Sequence, residues 1–187
     1  MKTALVVCLL AAPAALAAQA PPGACTFRGT VAHAAHRPSP LDSTEATIAG
    51  AAVKVCYSRP SMRGRTIMGD LVPFGKPWRL GANEPTRLTL PFAAEVAGVR
   101  VPPGTYSLYV VPGRTSWEVH VNKAVDRWGI PIDSAVVAQD AGTGTVPVTR
   151  LTAPVEQLKM RLVAGRAAGL VVEWERTRVL IPIRKAH

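Results

Sequence analysis

Between residues 57 and 84 the chain reads YSRPSMRGRTIMGDLVPFGKPWRLGANE, and this stretch limits the fold more than any other. Gly64, Gly69, Gly75 and Gly81 alternate with Pro60, Pro73 and Pro77, and Pro85 follows at once. Proline removes a backbone donor and glycine opens turn conformations, so no long helix runs through it. It has neither helical nor strand periodicity, yet Ile67, Leu71, Phe74 and Trp78 call for burial. A compact domain carries so long an irregular segment when the segment is functional or wraps the core. Residues 57–84 are therefore the candidate site.

On both sides the pattern is that of short strands. Residues 44–48 suit a first strand, and Gly50 turns it into a second where Val53, Val55 and Tyr57 share a face. Leu88 and Leu90 oppose Arg87 and Thr89, and residues 95–101 suit a hairpin bent at Ala97-Gly98. Residues 105–111 form a strong strand after Pro102-Pro103-Gly104. Trp117, Val119 and Val121 alternate with Glu118, His120 and Asn122. Residues 124–144 are ambiguous, with 134–139 suiting a short helix or a strand. Further strands fall at Val146 and Val148, at Leu158 to Leu162, at Leu170 to Trp174, and at Val179 to Ile183. The last of these is expected at an edge because Pro182 cannot donate to a ladder. About eight to ten short strands with almost no helix predict a single all-β domain over residues 42–187. An antiparallel β-sandwich or jelly-roll is the expected architecture.

The N-terminus is of another kind. Residues 1–18, MKTALVVCLLAAPAALAA, have one Lys, an apolar run and small residues near Ala15-Leu16-Ala17. That is the pattern of a cleaved secretory signal peptide, and the run is too short for a membrane span. Residues 19–41, rich in Ala and Pro, read as a flexible arm. The expected location is periplasmic or extracellular. Cys25 follows small residues and offers an alternative as a lipid anchor, although Pro22 is out of place for one. Once Cys8 leaves with the leader, Cys25 and Cys56 remain. An oxidising compartment makes a Cys25–Cys56 disulfide one reading and two free thiols the other. A zinc site from Cys25, His33, His36 and Cys56 matches no compact ligand spacing, so no metal is expected.

The formal net charge is +10, which favours anionic partners. The chain holds no block of five or more Lys and Arg, and export argues further against nucleic acid. Known catalytic patterns fail. Between Gly69 and Gly75 the spacing is too long for a phosphate loop, and Pro77 stands where Ser or Thr is needed. Gly142-Thr143-Gly144 lacks the third glycine of a dinucleotide fingerprint, and neither G-x-S-x-G nor H-E-x-x-H occurs. No cofactor is implied. His120 reads as a solvated residue beside Glu118 and Asn122 rather than a catalytic base.

The positive candidates are Trp78, Arg79, Asn83 and Glu84, with Arg59 and Arg65. Guanidinium groups match carboxylate or phosphate, Trp offers a stacking surface, and Gly81 permits close backbone approach. Such a set suits a polar, anionic or carbohydrate ligand. Alternatively Glu84 is an acid/base with Arg79 or Arg59 stabilising negative charge. In a third reading Arg59 and Arg79 pair with Glu84 and Asp70 only to hold the loop.

These same residues carry a resemblance. The pattern R-P-x-x-x-G-R followed by G-x-L-V-P-F-G-K-x-W-R-x-G-A-N-E, then VPPGTYSLYVVPGRTSWEVHVNK and DRWG, resembles the bacterial exported family called domain of unknown function 2911. The likeness runs over about residues 44–183, with Arg59, Gly64, Arg65, Trp78, Arg79, Gly81, Ala82, Asn83 and Glu84 matching as they stand. It implies an extracytoplasmic β-rich domain, and no established activity, cofactor or catalytic residue. The chain departs from the family at Ile130-Pro131-Ile132-Asp133 and at Ala141-Gly142-Thr143-Gly144.

Overall fold

The computed structural model describes Cys25, Phe27, Arg28, Ala32, Ala34 and residues 36–186. The leader-like residues 1–18 lie outside this set. The described chain is antiparallel β almost throughout: β1 (Leu41–Ile48), β2 (Ala51–Ser58), β3 (Thr86–Leu90), β4 (Ala94–Val96), β5 (Val99–Val101), β6 (Gly104–Pro112), β7 (Ser116–Asn122), β8 (Asp140–Val163) and β9 (Gly169–Lys185). One short helix, α1 (Ser134–Val137), interrupts them; its first turn is capped by the Asp133 carboxylate, which accepts from Val136 N. No helix among the described residues is long and apolar enough to cross a membrane.

The all-β expectation holds, and the architecture is one nine-stranded sheet in the order β1-β2-β3-β6-β7-β8-β9-β4-β5. The sheet folds on itself. The far end of β8 returns over the first strands, where Leu162 N donates to Thr44 Oγ1 at 3.0 Å and Met160 N to the Tyr57 hydroxyl at 3.0 Å. Between the two layers lies a continuous core that includes Val53, Val55, Leu88, Leu108, Val119, Leu158 and Ile181, all fully buried. The alternation in the sequence supplies it directly, because every second residue of a strand faces the same side.

Two expectations need correction. The sequence suggests separate strands at Val146 and at Leu158, but both belong to the long β8. Its register with β9 shifts between Arg150 and Val155 and again before Lys159. These irregularities bend the ribbon so that it serves both layers. The last segment is not an edge either. β9 pairs with β8 up to Val179 and with β4 from Ile183, and Pro182 sits between the two pairings, so no ladder bond lacks a donor. Pro182 still contributes its carbonyl to Ala97 N at 2.9 Å.

The hairpins follow their turn residues. Ala49-Gly50 and Ala97-Gly98 both have two successive positive φ values, 50° and 83°, then 49° and 88°, as two-residue hairpins of this twist require. The second turn accounts for the glycines at 142 and 144. A Cβ on Gly144 would lie 1.8 Å from Ala97 O, and one on Gly142 would lie 2.9 Å from Val99 Cγ1. The β4–β5 hairpin thus packs directly on the backbone of β8. Gly144→Ala is expected to lose about 1–3 kcal/mol, since backbone must move to admit the methyl group. Urea unfolding measures this, and an unchanged midpoint would refute the packing.

Candidate functional site

Residues 59–85 leave β2, run over the mouth of the fold and enter β3. The segment is held firmly despite its irregular backbone. Near its start, Met62 N bonds to Glu156 O and Leu158 N to Pro60 O, at 2.8 and 2.9 Å. Near its end, Trp78 and Val110 exchange both backbone bonds at 2.7 and 2.9 Å, and Gly75 N bonds to Pro112 O at 2.8 Å. Trp78 thereby occupies the edge of β6 beyond Thr86, where β3 begins. In the middle, the Glu175 carboxylate accepts from Ile67 N and Met68 N, at 3.3 and 3.1 Å. Ile67, Val72 and Leu80 are buried in the core. The segment wraps the core and also presents a surface.

The six candidate residues separate into two groups. Arg65, Trp78 and Arg79 line one cavity of about 330 Å³, whose other walls include Leu71, Ile130 and Trp174. Trp78 stacks on Trp174 with ring centroids 5.7 Å apart and meets Trp117 edge-on at 5.8 Å. Such contacts hold its orientation, and its Nε1 donates to Gly81 O at 3.3 Å. Arg79 is half-buried, and Nε donates to Gly81 O at 3.3 Å; its Nη atoms have no hydrogen bond among the described residues. Burial lowers the pKa of this guanidinium, because a desolvated cation lacks compensation. Arg65 is exposed and braced by Nε to Met62 O and Nη2 to Ser61 O, at 2.9 and 2.8 Å.

Arg59, Asn83 and Glu84 do not line that cavity and bond to other protein groups. Arg59 pairs with Asp42 at 3.1 Å and donates to Leu158 O. Asn83, at φ 58°, donates from Nδ2 to Ser39 O and Ser58 Oγ. Glu84 is buried, and its partner is neither Arg59 nor Arg79. Arg37 of the arm donates Nη1 to both carboxylate oxygens, at 2.8 and 2.7 Å, and Arg28 N reaches Oε1 at 2.6 Å. Desolvation alone would raise the Glu84 pKa. The bonds from Arg28 N and Arg37 outweigh it and hold the carboxyl below its ordinary range. The expected Arg59–Arg79–Glu84 cluster is therefore corrected to an Arg37–Glu84 pair beside a separate Arg65–Arg79 cavity. Arg37 carries no sequence signal, since it stands in an Ala/Pro-rich stretch without periodicity.

The backbone at this site is unusual. Leu80 and Asn83 have φ of 54° and 58°, a region where non-glycine residues are uncommon. The buried Leu80 is retained there because Thr86 Oγ1 donates to its carbonyl at 2.6 Å. Gly129 completes the packing. Its N–H bonds to Asn83 O at 2.8 Å, and a Cβ there would meet Arg79 Cδ at 2.3 Å. The W-G signature thus lies against the R-x-G-A-N-E motif.

The structure joins Cys25 to Cys56 in a disulfide, with Cα atoms 5.5 Å apart. A bonded Cys25 has no thiol left for a lipid, and the zinc alternative loses two of its four ligands. Its His33 lies outside the described residues. Together with the Glu84 clamp, the disulfide fastens the described part of the arm to β2 and to the loop.

His120 is not solvated. It is 8% exposed and stacks on Tyr109 with centroids 4.2 Å apart. Nδ1 lies 2.9 Å from Asp140 Oδ2 and Nε2 lies 2.7 Å from Glu118 Oε1. The Tyr109 hydroxyl donates to Asp140 Oδ2 at 2.7 Å, and burial followed by that carboxylate pushes its pKa up. Strand alternation correctly turns His120 away from the core. Residues 123–139 then fold over that face, tied by Asn122 Nδ2 to Val136 O and Ala124 N to Asn122 Oδ1, at 2.6 and 2.8 Å. The cluster lines neither the smaller cavity nor the larger one described below.

No curated protein and no solved structure matches the chain. A family model does: the one described as "Protein of unknown function (DUF2911)" covers residues 39–183, the folded β domain with its irregular loop. The chain belongs to that family.

Proposed function

We propose that this protein is an exported binding module that takes an anionic, ring-bearing ligand, with acidic sugars as the class that fits, in the Arg65–Trp78–Arg79 cavity. The observation that carries this reading is Arg79. It is a half-buried guanidinium on the wall of a cavity of about 330 Å³, with its Nη donors unused among the described residues. A carboxylate or phosphate supplied there gains charge-assisted bonds and relieves the desolvated cation. Trp78 and the apolar Leu71 and Ile130 give a sugar ring or similar flat body a face to lie on. The leader-like N-terminus and the disulfide support an extracytoplasmic setting.

Acid–base chemistry by Glu84 draws no support from its surroundings. Its carboxylate is buried, ionised below the ordinary range and engaged by Arg37 and Arg28. A general acid needs the opposite environment. The test is a thermal-shift series on the purified protein with uronic acids, neutral sugars, simple carboxylates and phosphorylated sugars. A ligand at a hundred times its dissociation constant adds about 2.7 kcal/mol, several degrees for a domain of this size. Uronic acids are expected to stabilise the protein and to lose the effect in Arg79→Gln. Equal shifts in both proteins, or none with any acid, would overturn the reading.

A further inference from the structure

The geometry points to a ligand that is a chain rather than a single ring: an acidic oligosaccharide that starts in the Arg79 cavity and continues over Trp78 into a second, larger cleft. This inference rests on the binding reading above and names the ligand more closely.

The second cleft is open and has a volume of about 490 Å³. Three arginines line it from three separate elements: Arg114 on the β6–β7 turn, Arg150 on β8 and Arg176 on β9. They are fixed as neighbours by the backbone. Val148 N bonds to Thr115 O at 2.9 Å, which fastens the turn to β8, and Arg150 stands opposite Thr177 in the β8–β9 register. The three side chains are exposed, and little neutralises them. Arg114 lies over the Phe74 ring at 4.8 Å, and Arg176 Nη1 donates to Thr152 O. The Arg150 side chain has no hydrogen bond or ion pair among the described residues. Glu175 is the acid on the lining, and both its oxygens are held by Ile67 N and Met68 N. Like charges held together on adjacent strands repel, and a cleft concentrates their field on an anion.

Residues that touch one another line the two clefts. Trp78 borders the smaller one, and its ring touches Trp174 on that side and Trp117, which lines the larger one. Trp174 and Glu175, adjacent on β9, face the two clefts in turn. Phe74 and Pro77 do the same across the loop tip. Two basic clefts with aromatic walls, separated by one loop tip, suit a linear ligand with a charge on successive rings. Guanidinium groups donate to the oxygens of carboxylate and of sulfate alike.

Isothermal titration distinguishes the possibilities. The probes are galacturonic acid and its di-, tetra- and hexasaccharides, with heparin-derived oligosaccharides of equal length for sulfate. The proteins are the unaltered chain, Arg79→Gln, and the doubly altered Arg150→Gln/Arg176→Gln. Affinity is expected to rise by at least about tenfold from the monosaccharide to the tetrasaccharide, in keeping with additional charge-assisted bonds. The double variant is expected to keep monosaccharide affinity and lose that gain. Which series shows the gain identifies carboxylate or sulfate as the charged group. Monosaccharide binding that depends on Arg79 but shows no gain with length would overturn the chain and leave the binding reading intact. A gain that survives in the double variant would overturn the second cleft. No binding of any probe would overturn both.

Discussion

Glu84→Ala is expected to cost about 3–5 kcal/mol of folding stability, the usual result of removing one partner from a buried ion pair. The Arg37 and Glu84 side chains are 5% and 4% exposed, so the guanidinium, left with Nη2 on Arg28 O, loses its counter-charge where water does not replace it. The melting temperature should fall by roughly 10 °C. Arg37→Ala should do similar damage, and the pair changed together to Met and Leu should recover much of the loss, because apolar replacements remove both desolvation costs. Equal losses in the singles and an additive double would mean that the contact is not coupled. The pH dependence has a definite sign. The Glu84 carboxyl sits below its ordinary 4.5 in the folded protein, so its contribution is fully present above that value. It disappears as pH falls through the lowered folded value. The difference between native and Glu84→Gln stability should accordingly shrink on acidification below about pH 4.5 and stay level above it.

Loss of the disulfide should rank next. Cys25 and Cys56 are 31 residues apart, and opening a loop of that length costs about 3–4 kcal/mol through the freed unfolded chain. Reduction, or Cys25→Ser, releases the arm from β2 and so weakens the hold of Arg28 and Arg37 on Glu84. The two fastenings are therefore expected to be cooperative. The Glu84→Ala loss should be smaller in the reduced protein than in the oxidised one, because part of the arm is already free. Unfolding curves with and without reductant measure this, and identical curves would show that the bond contributes nothing.

Much of the fold is legible in the residues themselves. Val53, Val55 and Tyr57 on β2, or Trp117, Val119 and Val121 on β7, face the core because period two leaves them no alternative. The hairpin at Ala97-Gly98 is legible for the same local reason. The continuity of β8 is not, since Pro154, at the shift in pairing with β9, looks in the sequence like the break between two strands. Within the site, Trp78 and Arg79 are legible as types suited to binding. The partner of Glu84 is not, because Arg37 is 47 residues away in a segment without pattern. His120 illustrates a second limit. Alternation gives its face correctly, but the covering of that face by residues 123–139 is a tertiary fact. Burial on a sheet's outer side depends on what folds over it, and strand period carries no information about that.

The most direct measurement is the Nε–H resonance of Arg79, assigned by its disappearance in Arg79→Gln and followed during titration with a uronic acid. A saturable shift of that resonance, with the Arg59 Nε–H unmoved at its Leu158 contact, is the expected result and would place the acid group in the cavity. An Arg79 resonance that stays fixed while the protein binds the ligand would contradict the assignment of the site.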